Sequence, residues 1–166
     1  MRALLALLLF LALSFSANAW EGFSPRSTFR LEYKITRGED DPHIRITEFI
    51  IKDRAGSVVY TDSLTEAAEA AIWTKDEKFL IFAACDGTPG HSKTPWRFSF
   101  YIVSIADKKW SCFRGSDKTP FISSDVWTQE PDTIIVVGHT FRNGIEPPND
   151  PVLLRYKVGE LWKQRK

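Results

Sequence analysis

Cysteine, unbalanced charge and long apolar stretches are all scarce in this chain of 166 residues, and each shortage excludes something. Two cysteines, Cys85 and Cys112, are too few to staple a disulfide-built domain. Lys plus Arg number 22 and Asp plus Glu 21, with the signs interspersed, so there is no basic stripe for nucleic acid. After Phe15 no apolar run approaches the roughly 20 residues that a helix needs to span a bilayer. No Asn-x-Ser/Thr sequon follows residue 19. Neither G-x-S-x-G nor H-E-x-x-H occurs, which removes the nucleophile elbow of the α/β-hydrolases and the zinc-protease helix. Carboxylates are plentiful, but nothing singles out two of them as a glycosidase pair.

One segment imitates a nucleotide site and fails on its chemistry. Residues 87–94 (GTPGHSKT) approach G-x-x-x-x-G-K-[ST], but Ser92 stands where a glycine must let the backbone curl round a phosphate. Pro95 then precedes a strand pattern where a helix N-terminus is required.

What is present begins at the amino end. Met1-Arg2-Ala3 leads into an apolar run from Leu4 to about Phe15, then Ser16-Ala17-Asn18-Ala19. A positive start, a short apolar core and a small-x-small end predict a cleavable leader over residues 1–19. The expectation is therefore an exported protein, periplasmic or extracellular, whose single domain spans residues 20–166 and keeps no membrane anchor. The first cysteine, Cys85, is far from the cleavage point, so lipidation there is not expected.

The rest alternates short apolar runs with turn signals. Thr28 to Thr36 sets Phe29, Leu31, Tyr33 and Ile35 against Arg30, Glu32 and Lys34, the period of a half-buried strand. Strands are also expected over Ile44 to Lys52, Ser57 to Thr61, Phe79 to Cys85, Arg97 to Ile105, Lys109 to Phe113, Thr133 to His139 and Val152 to Val158. Only Leu64 to Ala71 (LTEAAEAA) favours helix by composition.

These strands recur. Trp73-Thr74 returns as Trp127-Thr128, 54 residues on, and the same offset places Leu80-Ile81 on Ile134-Ile135. It also places Phe98, Phe100 and Ile102 on Val152, Leu154 and Tyr156. A fainter echo sets Ile50-Ile51 and Val58 against Ile102-Val103 and Trp110. Repeats of about 40 to 50 residues with four strands each are how propeller blades read in sequence. The expected fold is all-β and antiparallel, with about three propeller-blade-like four-stranded units in a partial or small propeller. A β-sandwich and half of a dimeric ring are the alternatives.

Residues 72–82 (IWTKDEKFLIF) resemble the W-S-P-D-G-K-x-L-A-F signature of TolB-type and dipeptidyl-peptidase-type, WD40-like propeller repeats, with a weaker copy from Trp127. The resemblance implies that Trp73 ends an inner strand, Asp76 opens a turn and Phe79 starts the second strand. Thr74-Lys75 replaces Ser-Pro, and Glu77 replaces the turn glycine.

In such units the connections between second and third strands are the longest: Gly38 to His43, Asp86 to Trp96 and Thr140 to Asp150. Long polar loops on a rigid frame are where binding resides. The candidate binding residues are Asp86, His91, Lys93, Trp96, Arg142 and Asn143. A metal would have to use His43, His91 and His139, which lack ligand spacing, so neither a metal nor a cofactor is expected. Trp73 and Trp127 are expected as equivalent core residues. An oxidising compartment favours a Cys85–Cys112 bond, but a register with Cys85 opposite Phe98 and Val103 opposite Cys112 sets them apart. The leading expectation is a non-catalytic domain that binds another protein through its loops, as a periplasmic immunity or inhibitor protein would, alone or as a homodimer. A small-ligand, metal or hydrolase site on the same loops and a structural envelope role are the alternatives.

Overall fold

The computed structural model describes residues 19–37, 45–85, 98–116, 119–128, 130–139 and 151–164. Within them, strands β1 (Ala19–Phe23), β2 (Phe29–Arg37), β3 (Arg45–Asp53) and β4 (Val58–Leu64) form an antiparallel meander. Strands β5 (Ala68–Trp73), β6 (Phe79–Cys85), β7 (Phe98–Ser104) and β8 (Lys109–Arg114) form a second. Strands β9 (Phe121–Thr128), β10 (Thr133–His139) and β11 (Pro151–Lys157) form a third, which helix α1 (Val158–Lys163) follows directly. One residue pair, Phe98 opposite Phe121, joins the second sheet to the third. The protein is all-β and antiparallel, in three blade-like units, none of them closed; the third has three strands rather than four.

The sheets stack face to face. Leu31, Tyr33, Phe49 and Ile51 of the first sheet pack on Leu80, Phe82, Tyr101 and Val103 of the second. The opposite face of the second sheet, with Ile81, Phe100 and Ile102, packs on Phe121, Ile134 and Val136 of the third. Burial on both faces explains why β7 (FSFYIVS) reads as a near-continuous apolar run, and every one of its residues is buried.

The repeat extends to the turns. In the second unit, Thr74 N–H donates to Phe79 O, Glu77 N–H to Thr74 O and Phe79 N–H to Thr74 Oγ1. The first unit repeats this set 50 residues earlier: Ser24 N–H to Phe29 O, Ser27 N–H to Ser24 O and Phe29 N–H to Ser24 Oγ. Ser27 and Glu77 share a left-handed backbone, with φ of 56° and 61°. Glu77 thus keeps the conformation of the glycine it replaces in the resembled signature.

These turns also touch. Arg26 N–H donates to Glu77 Oε1 at 2.6 Å, and Asp76 N–H donates to Pro131 O at 2.9 Å. The β1–β2, β5–β6 and β9–β10 turns therefore meet at one end of the stack. Since β2, β6 and β10 all start there, all three finish at the opposite end, where the chain leaves at residues 37, 85 and 139 and returns at 45, 98 and 151.

Four expectations are corrected. Leu64 to Ala71 holds no helix; its second half is β5, because pairing with β6 and burial of Ala68 outweigh a short run's helix propensity. Trp127 is not the core equivalent of Trp73. Trp73 pairs with Leu80, seven residues on, whereas Trp127 pairs with Ile135, eight on. That one-residue slip turns Trp127 onto the outer face of the third sheet, where it is 47% exposed against 7% for Trp73.

The third strands are likewise out of step with the gap-free alignment. Leu80 lies opposite Val103 and Ile134 opposite Tyr156, so with Leu80 set on Ile134 the third strands match at an offset of 53, Val103 on Tyr156. Phe100 and Leu154 meet in one core from opposite sides. The first unit aligns with the second through Leu31 opposite Ile51 and Ile81 opposite Ile102, which shifts the fainter echo by one residue to Phe49 and Ile51 on Phe100 and Ile102.

The cysteines form the fourth case. Cys85 does lie opposite Phe98, but Val103 lies opposite Trp110, and Cys112 is opposite Tyr101. Strand β7 stands between them, which alone separates the Cα atoms by about 9.6 Å, beyond the roughly 7 Å a disulfide spans. Cys112 is a free, exposed thiol.

Candidate functional site

Asp86, His91, Lys93, Trp96, Arg142, Asn143 and His43 lie outside the described residues. His139 ends β10 with its backbone opposite Pro151. Among the described residues no group of three or more His, Cys, Asp or Glu could hold a metal ion. No described helix is long and apolar enough to cross a membrane.

At the loop-bearing end the described residues place a polar cluster under the β4–β5 crossover. Thr47, fully buried, donates from Oγ1 to Glu66 O at 2.7 Å and accepts from Ala68 N–H at 2.7 Å, which fixes the crossover. Arg114 reaches Glu66 Oε1 at 3.3 Å. Burial pushes the Cys112 thiol up, against the pull of the nearby Arg114 guanidinium. Burial also pushes the Tyr101 hydroxyl far up.

Two clefts open on the first sheet. One, of about 450 Å³, lies on its outer face among Glu32, Lys34, Glu48, Ile50 and Asp62. Its charges are matched: Lys52 Nζ lies 2.7 Å from Glu32, Lys34 Nζ 2.8 Å from Glu48, and Arg30 Nη2 2.7 Å from Glu21. The hydrogen bond from Lys52 holds the Glu32 carboxyl below its usual range.

The other cleft, of about 510 Å³, lies where the first strands of the three units converge. Its walls are Glu21, Gly22 and Phe23 of β1, Glu69 through Trp73 of β5, and Thr128 of β9. Leu31 and Tyr33 of β2 also line it. The indole Nε1 of Trp73 is buried without a hydrogen-bond partner. The resemblance places the end of an inner strand at Trp73, as β5 has it, whereas composition alone gives the alanines of β5 to a helix.

The two ends of the stack differ in chemistry. The outer face of the first sheet is ion-paired. The outer face of the third carries exposed Trp127 and Leu153, with half-buried Ile135 and Val137 beside them.

No protein-family model matches the chain, and a search of curated proteins finds no match.

Proposed function

We propose that the chain is an exported, non-catalytic β-repeat domain that binds another protein with the loop-bearing end of its stack. One observation carries the reading: the two ends are built differently. One is sealed by short turns hydrogen-bonded to one another through Asp76 and Glu77. At the other, the three long polar connections, residues 38–44, 86–97 and 140–150, depart from the ends of β2, β6 and β10. A rigid frame that gathers its irregular segments on one side presents a composite surface of the kind proteins use for recognition. The left-handed backbone at Glu77 supports kinship with the TolB-type and dipeptidyl-peptidase-type repeats, as an open three-unit fragment of that design. The leader over residues 1–19 supports export.

The test is a tagged chain recovered from the exported fraction of its host, compared with a variant in which residues 88–94 are replaced by Gly-Ser. A protein that co-purifies at fixed stoichiometry and is lost from the variant, with unfolding unchanged, is the expected result. Retention of the chain in the cytosolic fraction, or a partner that still binds when residues 88–94 are replaced, would overturn the reading.

A further inference from the structure

The cleft beside Trp73 has a property that side chains alone do not produce. Glu69, Ala70, Ala71, Ile72 and Trp73 line it consecutively. Successive side chains of a strand point to opposite faces, so five residues in a row reach one cleft only along the strand's edge. Strand β5 pairs with β6 on one side, and among the described residues no strand pairs with its other edge.

Two other open edges are blunted, whereas those of β1 and β4 are not. Strand β11 carries Pro151, Arg155 and Lys157, and β8 carries Lys109 and Arg114, the residue types that discourage strand addition. Strand β5 (AEAAIW) has none of these; its one charge is Glu69, the extra residue of a bulge between Ala68 and Ala70. Glu69 has no ion-pair partner among the described residues, whereas the other charged group on the cleft, Glu21, is paired with Arg30. The indole N–H of Trp73 beside the cleft is buried with no acceptor among the described residues.

We propose that this cleft takes up an extended peptide segment of a partner protein, paired by its main chain along the β5 edge, with a basic side chain against Glu69. The proposal rests on the protein-binding reading and adds a second, edge-directed contact to it.

A random-peptide phage library selected against the whole purified protein supplies the probe, and the best peptide is titrated as a synthetic chain by amide NMR. The expected peptide is basic and rich in β-branched residues. It shifts the Trp73 indole N–H and the amides of residues 69–73. Its affinity falls about tenfold in Glu69→Lys, a surface change that leaves the fold intact. N-methylation of alternate peptide nitrogens abolishes binding. Binding that survives N-methylation, or shifts confined to residues outside the cleft, would overturn the proposal while leaving loop-dependent capture of a partner standing. Concentration-dependent shifts of the same amides without peptide would assign the edge to a second copy of the chain, and would also overturn it.

Discussion

The carboxylate of Glu77, on the turn between β5 and β6, receives the backbone N–H of Arg26 from the turn between β1 and β2 at 2.6 Å. One side chain therefore fixes the first sheet to the second at the sealed end. It does so from a left-handed backbone with φ of 61°, which a residue with a Cβ enters at a cost of about 1 kcal/mol.

Two substitutions at this position should separate strain from bonding. Glu77→Ala keeps the strain and removes the acceptor, so it should cost about 2 to 3 kcal/mol in urea unfolding. Glu77→Gly loses the same bonds but relieves the backbone, and should be about 1 kcal/mol less harmful. If alanine and glycine prove equal, the turn conformation described for Glu77 is wrong.

Acid should loosen the sealed end. Burial pushes the Glu77 carboxyl up, but hydrogen bonds from Ser24, Thr28 and the Arg26 N–H outweigh it and leave it below its free value of 4.5. Asp76 likewise lies below 3.8, where the Thr74 hydroxyl and Lys78 N–H overcome burial. A depressed carboxylate adds stability that is present above its unfolded value and is lost as pH falls through the folded value. Stability should thus decline as pH drops below about 4.5, and Glu77→Gln should flatten that decline. A variant whose profile parallels the parent's between pH 5 and pH 2 would refute the assignment.

The two signature tryptophans should behave differently. Trp73 stacks on Phe29 at 5.8 Å and is buried, so Trp73→Ala should cost about 3 to 5 kcal/mol. Trp127, turned outward by the register slip, should tolerate alanine within about 1 kcal/mol. Iodide should quench Trp127 fluorescence and spare Trp73, read in single-tryptophan-deletion variants. Equal costs would place Trp127 in the core and restore the in-step register.

Two glycines give a geometric check. A Cβ on Gly115 would sit 2.6 Å from Thr119 O and 2.8 Å from Phe121 N, contacts that only a backbone shift relieves. Gly115→Ala should therefore cost upward of about 2 kcal/mol. A Cβ on Gly22 would meet nothing within 4 Å. Gly22→Ala should be neutral or stabilise by about 0.5 kcal/mol through the unfolded chain. Thermal melts of the pair, scored against the parent, decide it.

Much of the frame is legible in the sequence where one face is apolar and the other polar. Phe29 to Ile35 declares itself because half-burial imposes a period of two, and Thr133 to His139 because it is a short, β-branched apolar run. The first unit's turn, Phe23-Ser24-Pro25-Arg26-Ser27-Thr28-Phe29, was also available 50 residues before Trp73, but it preserves hydrogen bonds rather than residue identities, and so escaped a search by identity. The start of β5 is hidden because seven of the eight residues in LTEAAEAA, all but Thr65, are good helix formers, a preference that decides only when nothing else claims them. Of the candidate binding residues on the loops, none falls within the described residues, so their arrangement adds nothing to what their residue types suggest.

The sequence by itself determined the strand content, the antiparallel meanders and the repeat of about 53 residues, since these follow from local periodicity and turn chemistry. Tertiary structure alone decided which face each repeat presents. A single extra residue between Trp127 and its partner exchanges inside for outside along β9, and no local signal marks where that slip is absorbed. It also decided that β5 ends a sheet with an unpaired edge beside Trp73, because an edge is defined by the absence of a neighbour, which only the packed molecule can show.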